Sequence, residues 1–331
     1  MILHPSVLAL VGSALLVGAL LVYSAYWGAR IVQSWDLSSG SELQLALERR
    51  THLVSTLLGY VLVFGLASLF LFVFTADSLA PLFTGAMCAA GSLHASRFGY
   101  PTLVLQIAGF ALASLWLMVN RADGLGYDYP LVRFKYRFLL ALTPVLIAEM
   151  VLRAAYFLDL KPEVITSCCG SLFGAGGKGF GSDLAGMSPR LAGGAFVALL
   201  AGAVAAGILF RVSGRGGWIL GAAAALLLPV GLAAVVSWLS PYVYELPTHH
   251  CPFCLLQREY HWVGYPLYAA LLGGSLTGAG VGVLMPFRSV PSLATALPAY
   301  QRRLAGWSVA LLIGLGLLVA WIVTASQLRS T

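Results

Sequence analysis

The chain has 331 residues, of which 60% are hydrophobic and only 9% charged, whereas a soluble domain carries about 25% charged residues. This balance excludes an ordinary water-soluble globule and makes lipid the main solvent. The formal net charge of +7 carries no implication of nucleic-acid binding, because in a membrane protein the placement of Lys and Arg sets orientation.

Eight apolar runs follow one another along the chain, each long enough to cross a hydrocarbon core roughly 30 Å thick as a helix. The predicted spans are Val7–Ala29, Leu53–Ala76, Thr102–Val119, Phe138–Leu158, Leu191–Phe210, Trp218–Leu239, Val263–Leu284 and Leu304–Val323. Their continuous Ala/Leu/Gly-rich composition excludes the alternating strands of about ten residues that build a barrel. The fold class expected is therefore an all-α polytopic membrane protein. No Lys or Arg precedes the first run, so a cleavable signal peptide is not expected there.

Between the first two spans, Asp36–Arg50 mixes polar and apolar positions and predicts a short interfacial helix. The Arg121–Arg137 loop is basic and aromatic, with Tyr127, Tyr129, Phe134 and Tyr136 placed to anchor at the headgroups. On the fourth span, Glu149 and Arg153 are four residues apart and can pair on one face, which lowers the cost of placing either charge in lipid. The long Asp159–Arg190 loop carries Cys168 and Cys169, then the Gly-rich run from Gly174 to Gly181. That run lacks the Gly-Lys-Ser/Thr ending of a phosphate-binding loop and reads as a flexible connection.

Twelve Lys and Arg residues fall in one set of alternate loops and six in the other. The positive-inside rule then places both termini outside the cytoplasm, for an integral protein of a bacterial inner membrane. Cys88, Cys168, Cys169, Cys251 and Cys254 all fall on that extracytoplasmic side, where thiols can be oxidised and stay oxidised. Cys88 remains unassigned, with an intermolecular disulfide, a metal or simple burial as its open readings.

The most informative stretch is His249-His250-Cys251-Pro252-Phe253-Cys254-Leu255-Leu256-Gln257-Arg258. A Cys-x-x-Cys at a helix start permits an intramotif disulfide, and the helix dipole there stabilises a thiolate on the first cysteine. His249 and His250 offer charge or proton transfer beside it. The same residues also form a donor set for zinc or copper, because His249, His250, Cys251 and Cys254 supply imidazole and thiolate ligands. Cys88, His94, Cys168 and Cys169 are further donors on the same face. Haem ligation through histidine is another reading, although no Cys-x-x-Cys-His is present for covalent attachment.

Cys251, Cys254, Gln257 and Arg258 match in order and spacing the Cys-x-x-Cys-x-x-Glu/Gln-Arg pattern of DsbB-type disulfide oxidases, which this segment resembles. The resemblance implies a membrane quinone as electron acceptor, with Cys254 facing it, Gln257 and Arg258 beside it, and Cys251 as the exchange partner. The order of helices four to seven is similar to the vitamin K epoxide reductase fold. It implies that Cys168 and Cys169 act as a shuttle pair between Cys251/Cys254 and a thioredoxin-like extracytoplasmic protein. The division expected from this likeness is a three-helix region over residues 1–135, a four-helix bundle over 136–285 and a final span over 286–331. A metal-binding or metalloprotein-maturation protein, and a non-catalytic subunit of a larger membrane complex, are the alternative classes.

Overall fold

A computed structural model of the chain describes residues 4–36, 39–161, 163–166, 173 and 180–330. Among these residues there is no strand, and eight helical segments are long and apolar enough to cross a membrane. The protein is an all-α polytopic membrane protein, as its hydropathy pattern predicts. The helices are α1 (Pro5–Ser34), α2 (Glu42–Leu79), the short α3 (Ala89–His94), α4 (Gly99–Asp123) and α5 (Val132–Asp159). They continue with the short α6 (Phe180–Ala185), α7 (Pro189–Ser213), α8 (Gly217–Ala234), α9 (Ser240–Tyr244), α10 (Gly264–Leu284) and α11 (Ala296–Ala325). A π turn over Val235–Leu239 joins α8 to α9 within one span.

The separate interfacial helix expected over Asp36–Arg50 is absent, because α2 starts at Glu42 and runs unbroken into the second span. No glycine or proline interrupts Glu42–Thr51, so nothing stops a helix once it has begun. Its start is fixed locally: Ser41 Oγ accepts from Gln44 N–H at 3.3 Å, and Gln44 Oε1 accepts from Asp36 N–H at 3.0 Å. The Ser41 bond caps a donor that the first turn leaves over, and the Gln44 bond ties that turn to the segment after α1.

The chain divides into two compact units. The first holds Met1–Thr75, Ser96–Lys161 and Arg288–Leu297; the second holds Ala76–Ala95, Pro162–Phe287 and Pro298–Thr331. This grouping differs from the division drawn from the sequence, since α5 clusters with the first spans and most of α11 with the cysteine-bearing helices.

In the first unit Leu21 and Ile31 of α1, Val54 and Leu58 of α2, Trp116 of α4, and Tyr136, Leu139 and Leu142 of α5 form one buried core. Tyr136, expected at the headgroups, is fully buried instead, with its hydroxyl donating to Thr51 O at 3.1 Å. Helical spacing explains the difference: Val132, Tyr136 and Leu139 lie on the inward face of α5 and Phe134 on its outer face, while Tyr127 and Tyr129 are exposed in the loop before it. The α4–α5 turn is closed by a buried ion pair, Lys135 Nζ to Asp123 Oδ2 at 2.6 Å. Asp123 Oδ1 also accepts from Leu131 N–H at 2.8 Å, and Trp116 Nε1 donates to Lys135 O at 2.9 Å.

In the second unit α10 is the most enclosed span, with 67% of its apolar window buried against 44% or less elsewhere. Small residues bring its backbone against its neighbours: a Cβ added to Gly221 of α8 would meet Gly282 Cα at 2.6 Å. Such contacts suit lipid, where helices associate through close packing and not through water exclusion.

Two outcomes follow for thermal unfolding in detergent. Gly221→Val forces these backbones apart and lowers stability by about 1–3 kcal/mol, whereas an unchanged midpoint would remove the close contact from the account. Lys135→Met leaves Asp123 buried without its cation and costs about 3–5 kcal/mol. The double variant Asp123→Asn, Lys135→Met keeps an acceptor for Leu131 N–H and recovers most of that loss.

Candidate functional site: a buried three-thiol cluster

Cys88, Cys251 and Cys254 come together in the second unit, all three Sγ atoms lying within 4.8 Å of one another. Cys88 and Cys251 Sγ are 3.5 Å apart, which is well beyond the ~2.05 Å of a disulfide bond. Cys88 and Cys251 are 0% exposed and Cys254 is 5% exposed. The sequence motif supplies two of these thiols; the third comes from a loop 163 residues earlier in the chain.

Local backbone chemistry places Cys88. The chain turns after α2 through Gly85, whose φ of +90° favours glycine, and an added Cβ there would lie 2.3 Å from Thr166 O. Cys88 then precedes the first residue of α3 in extended conformation. Asp77, at the end of α2, accepts from Ala89 N–H at 3.0 Å and so holds the start of α3. Gln257 Nε2 donates to the same Asp77 oxygen at 3.3 Å and to Met87 O at 2.9 Å. Gln257, expected beside a cofactor, is thus a strap that ties the Cys-x-x-Cys loop to the residue before Cys88.

Cys251 and Cys254 do not stand at the start of a long helix, as their motif suggests. Two 3-10 turns, Cys254–Leu256 and Arg258–Tyr260, intervene, and α10 begins only at Gly264. Extended backbone at Gln257 and left-handed backbone at His261 and Trp262 (φ +55° and +53°) break the helix that the apolar run would otherwise continue. Left-handed conformation at two successive non-glycine residues costs of order 1–3 kcal/mol each and persists only where the surroundings impose it. The helix-dipole stabilisation expected for Cys251 therefore has no geometric basis.

The loop is fixed from behind by a defect in the span that precedes it. The π turn over Val235–Leu239 disrupts the regular helical ladder, and two side chains take up its carbonyls. Ser240 Oγ donates to Val235 O at 2.7 Å, and His250 Nδ1 bonds Val236 O at 3.0 Å. A carbonyl only accepts, so His250 carries its proton on Nδ1. Tyr244 donates to Cys251 O and Tyr268 to Pro252 O at 2.7 Å. Tyr244 also meets the His249 ring edge-on at 4.4 Å between centroids.

These contacts redraw the expected donor set. His249 and His250 do not join the thiol cluster, whose members among the described residues are the three cysteines; His250 is a strut against the π turn. Arg258 is exposed on its short turn. Cys168 and Cys169, together with most of the Gly-rich run, lie outside the described residues. The described residues on either side of that pair are docked. Thr166 bonds Thr84 O through its N–H at 3.0 Å and Gly91 O through its hydroxyl at 2.9 Å, while Phe173 packs on Phe253 with ring centroids 6.4 Å apart.

Sequence reasoning left Cys88 unassigned and passed over Asp77. A carboxylate at the last turn of an apolar span, eleven residues before a lone cysteine, is the one signal that could have linked them. Removing the strap should slow formation of a Cys88–Cys251 disulfide under mild oxidant. In a Cys254→Ser background, Gln257→Ala is expected to reduce that rate about fivefold, the equivalent of one hydrogen bond of about 1 kcal/mol. Peptide mass spectrometry reads the linkage, and an equal rate would deny Gln257 this positioning role.

No protein-family model, curated protein or solved structure matches this chain.

Proposed function

We propose that this protein is an integral-membrane thiol–disulfide oxidoreductase, with Cys251 and Cys254 as the redox pair and Cys88 as a third exchanging sulfur. The observation that carries the reading is the convergence of three buried sulfurs within 4.8 Å. Thiol–disulfide exchange needs an attacking sulfur next to a sulfur of the bond it breaks, and Cys88 at 3.5 Å from Cys251 meets that need.

In the oxidised form Cys251 and Cys254 share a disulfide. A thiolate of an incoming dithiol attacks one of its sulfurs to form a mixed disulfide and release the other as a thiol; the donor's second thiol then resolves it. The donor leaves as a disulfide, and Cys251 and Cys254 hold its two electrons and two protons. A membrane quinone bound beside them would supply the two-electron, two-proton acceptor, leaving as quinol while Cys251 and Cys254 re-form their disulfide. Attack by Cys88 on Cys251 instead gives a Cys88–Cys251 disulfide and frees Cys254 to meet the acceptor.

The dithiol in this reading comes from a thioredoxin-like extracytoplasmic protein through Cys168 and Cys169. Support comes from the docking of Thr166 and Phe173 on the two cysteine loops. Cys168 follows Thr166 by two residues, a reach of about 7 Å at most in extended chain. The excess of Lys and Arg in the opposite loops supports an extracytoplasmic position for this side, in a bacterial inner membrane.

A second reading has its own observation. Three thiolates around a soft ion at about 2.3 Å stand about 3.8 Å from one another, which is close to the spacing of this cluster. The donors for zinc or copper would then be Cys88, Cys251 and Cys254 in place of the histidines.

Purified protein distinguishes the two. Under the redox reading, Cys251→Ser and Cys254→Ser each abolish quinone-dependent oxidation of a dithiol while membrane insertion is retained, and Cys88→Ser slows it. Stoichiometric zinc or copper on three reduced thiols, with no dithiol turnover in the wild-type protein, would transfer the cluster to metal binding.

A further inference from the structure

The first unit contains a second polar site, unlike the thiol cluster in chemistry. Gln106 of α4 and Glu149 and Arg153 of α5 are each 5% exposed or less, within helices of membrane-spanning length. Gln106 Nε2 donates to Glu149 Oε1 at 3.0 Å, and Arg153 Nε lies 3.4 Å from the same oxygen. The ion pair expected from the spacing of Glu149 and Arg153 is therefore formed, but it does not use all the hydrogen-bonding capacity of the trio.

Arg153 Nε meets Glu149 only as an ion pair, without hydrogen-bond geometry, and two further buried atoms are left over. Among the described residues, neither Arg153 Nη1 nor Gln106 Oε1 has a hydrogen-bond partner. One is an obligate donor and the other an acceptor. An unmatched guanidinium N–H in an apolar interior costs several kcal/mol, so such a pair in one place points to a group that serves both atoms. Gln106, Glu149 and Arg153 all line one cleft, partly open to its surroundings, whose other walls are largely apolar. Gly65 of α2 also lines it, and a Cβ added there would meet nothing within 4 Å.

The chemistry of the occupant follows from these groups. Accepting from Arg153 while donating to Gln106 requires an oxygen that carries a hydrogen. Glu149 already balances the charge of Arg153, so an added anion would be left uncompensated in low dielectric. The apolar walls favour an apolar body behind the oxygen. We propose that this cleft binds a neutral membrane amphiphile by a hydroxyl group, which accepts from Arg153 Nη1 and donates to Gln106 Oε1. A membrane quinol and a diacylglycerol present the same chemistry.

The test is equilibrium binding to the full-length protein in detergent, with decylubiquinol and 1,2-dioctanoylglycerol as separate probes and their O-methylated forms as controls. Saturable binding of either parent probe, at least about tenfold tighter than its methyl ether, is expected from loss of a buried hydrogen bond; the arm that binds identifies the source. Gly65→Leu fills the cleft without a backbone clash and should weaken binding about tenfold or more, as should Gln106→Leu. Gly65→Leu also guards against the outcome that Arg153 variants fail to fold. Cys251→Ser should bind the probe as tightly as the wild type, so this inference stands or falls apart from the thiol chemistry. No saturable binding of either probe, equal binding of the methyl ethers, or full binding by Gly65→Leu would each overturn it.

Discussion

Lipid offers no hydrogen bonds, so every backbone donor and acceptor within the spans has to find its partner inside the protein. The second unit shows how far that constraint reaches. At the π turn in the sixth span Val235 O accepts from both the N–H and the hydroxyl of Ser240, and Val236 O bonds His250. Through His250 the obligation passes to the neighbouring Cys251, and Tyr244 and Tyr268 repeat the device on the carbonyls of Cys251 and Pro252. The thiol loop is thus held mainly by bonds that satisfy main-chain oxygens. Its sulfurs inherit their positions from that arrangement.

Much of the architecture was legible in the sequence because lipid imposes a simple rule on composition. Eight runs predicted eight spans, and the Glu149–Arg153 pair followed from helical spacing alone. The departures occurred where a tertiary contact overrode a local pattern. Tyr136 looked like an interfacial aromatic until the inward face of α5 claimed it. The Cys-x-x-Cys looked like a helix start, but two short turns and left-handed backbone at His261 and Trp262 separate it from α10, which begins next to the predicted Val263. Cys88 carried no local signal, since a single cysteine has no spacing to read and the Cys251 thiol it meets lies 163 residues away.

The two units concentrate polar chemistry in contrasting ways. The thiol cluster gathers three soft, neutral or anionic sulfurs on loops and short turns, where small backbone changes alter their separation. The Gln106–Glu149–Arg153 group sits on the regular helices α4 and α5, where spacing is fixed by the helix itself. Soft donors on adaptable segments suit chemistry that makes and breaks bonds between them. Hard, charge-balanced groups on rigid helices suit recognition of a neutral group at a constant distance.

The π turn has a consequence for which changes of chain length this protein can tolerate. Such a turn holds one residue more than the surrounding α-helical ladder needs. Deleting a single residue between Val235 and Leu239 would therefore restore a regular helix and leave everything beyond it close to its present rotation, because the wider turn already absorbs the extra residue. Tyr244 would keep its side of the span, whereas the carbonyl that His250 meets would be drawn back into the ladder. A shorter and more regular span would thus take from the thiol loop one of the bonds that hold it, so helical regularity and the site compete for the same five residues.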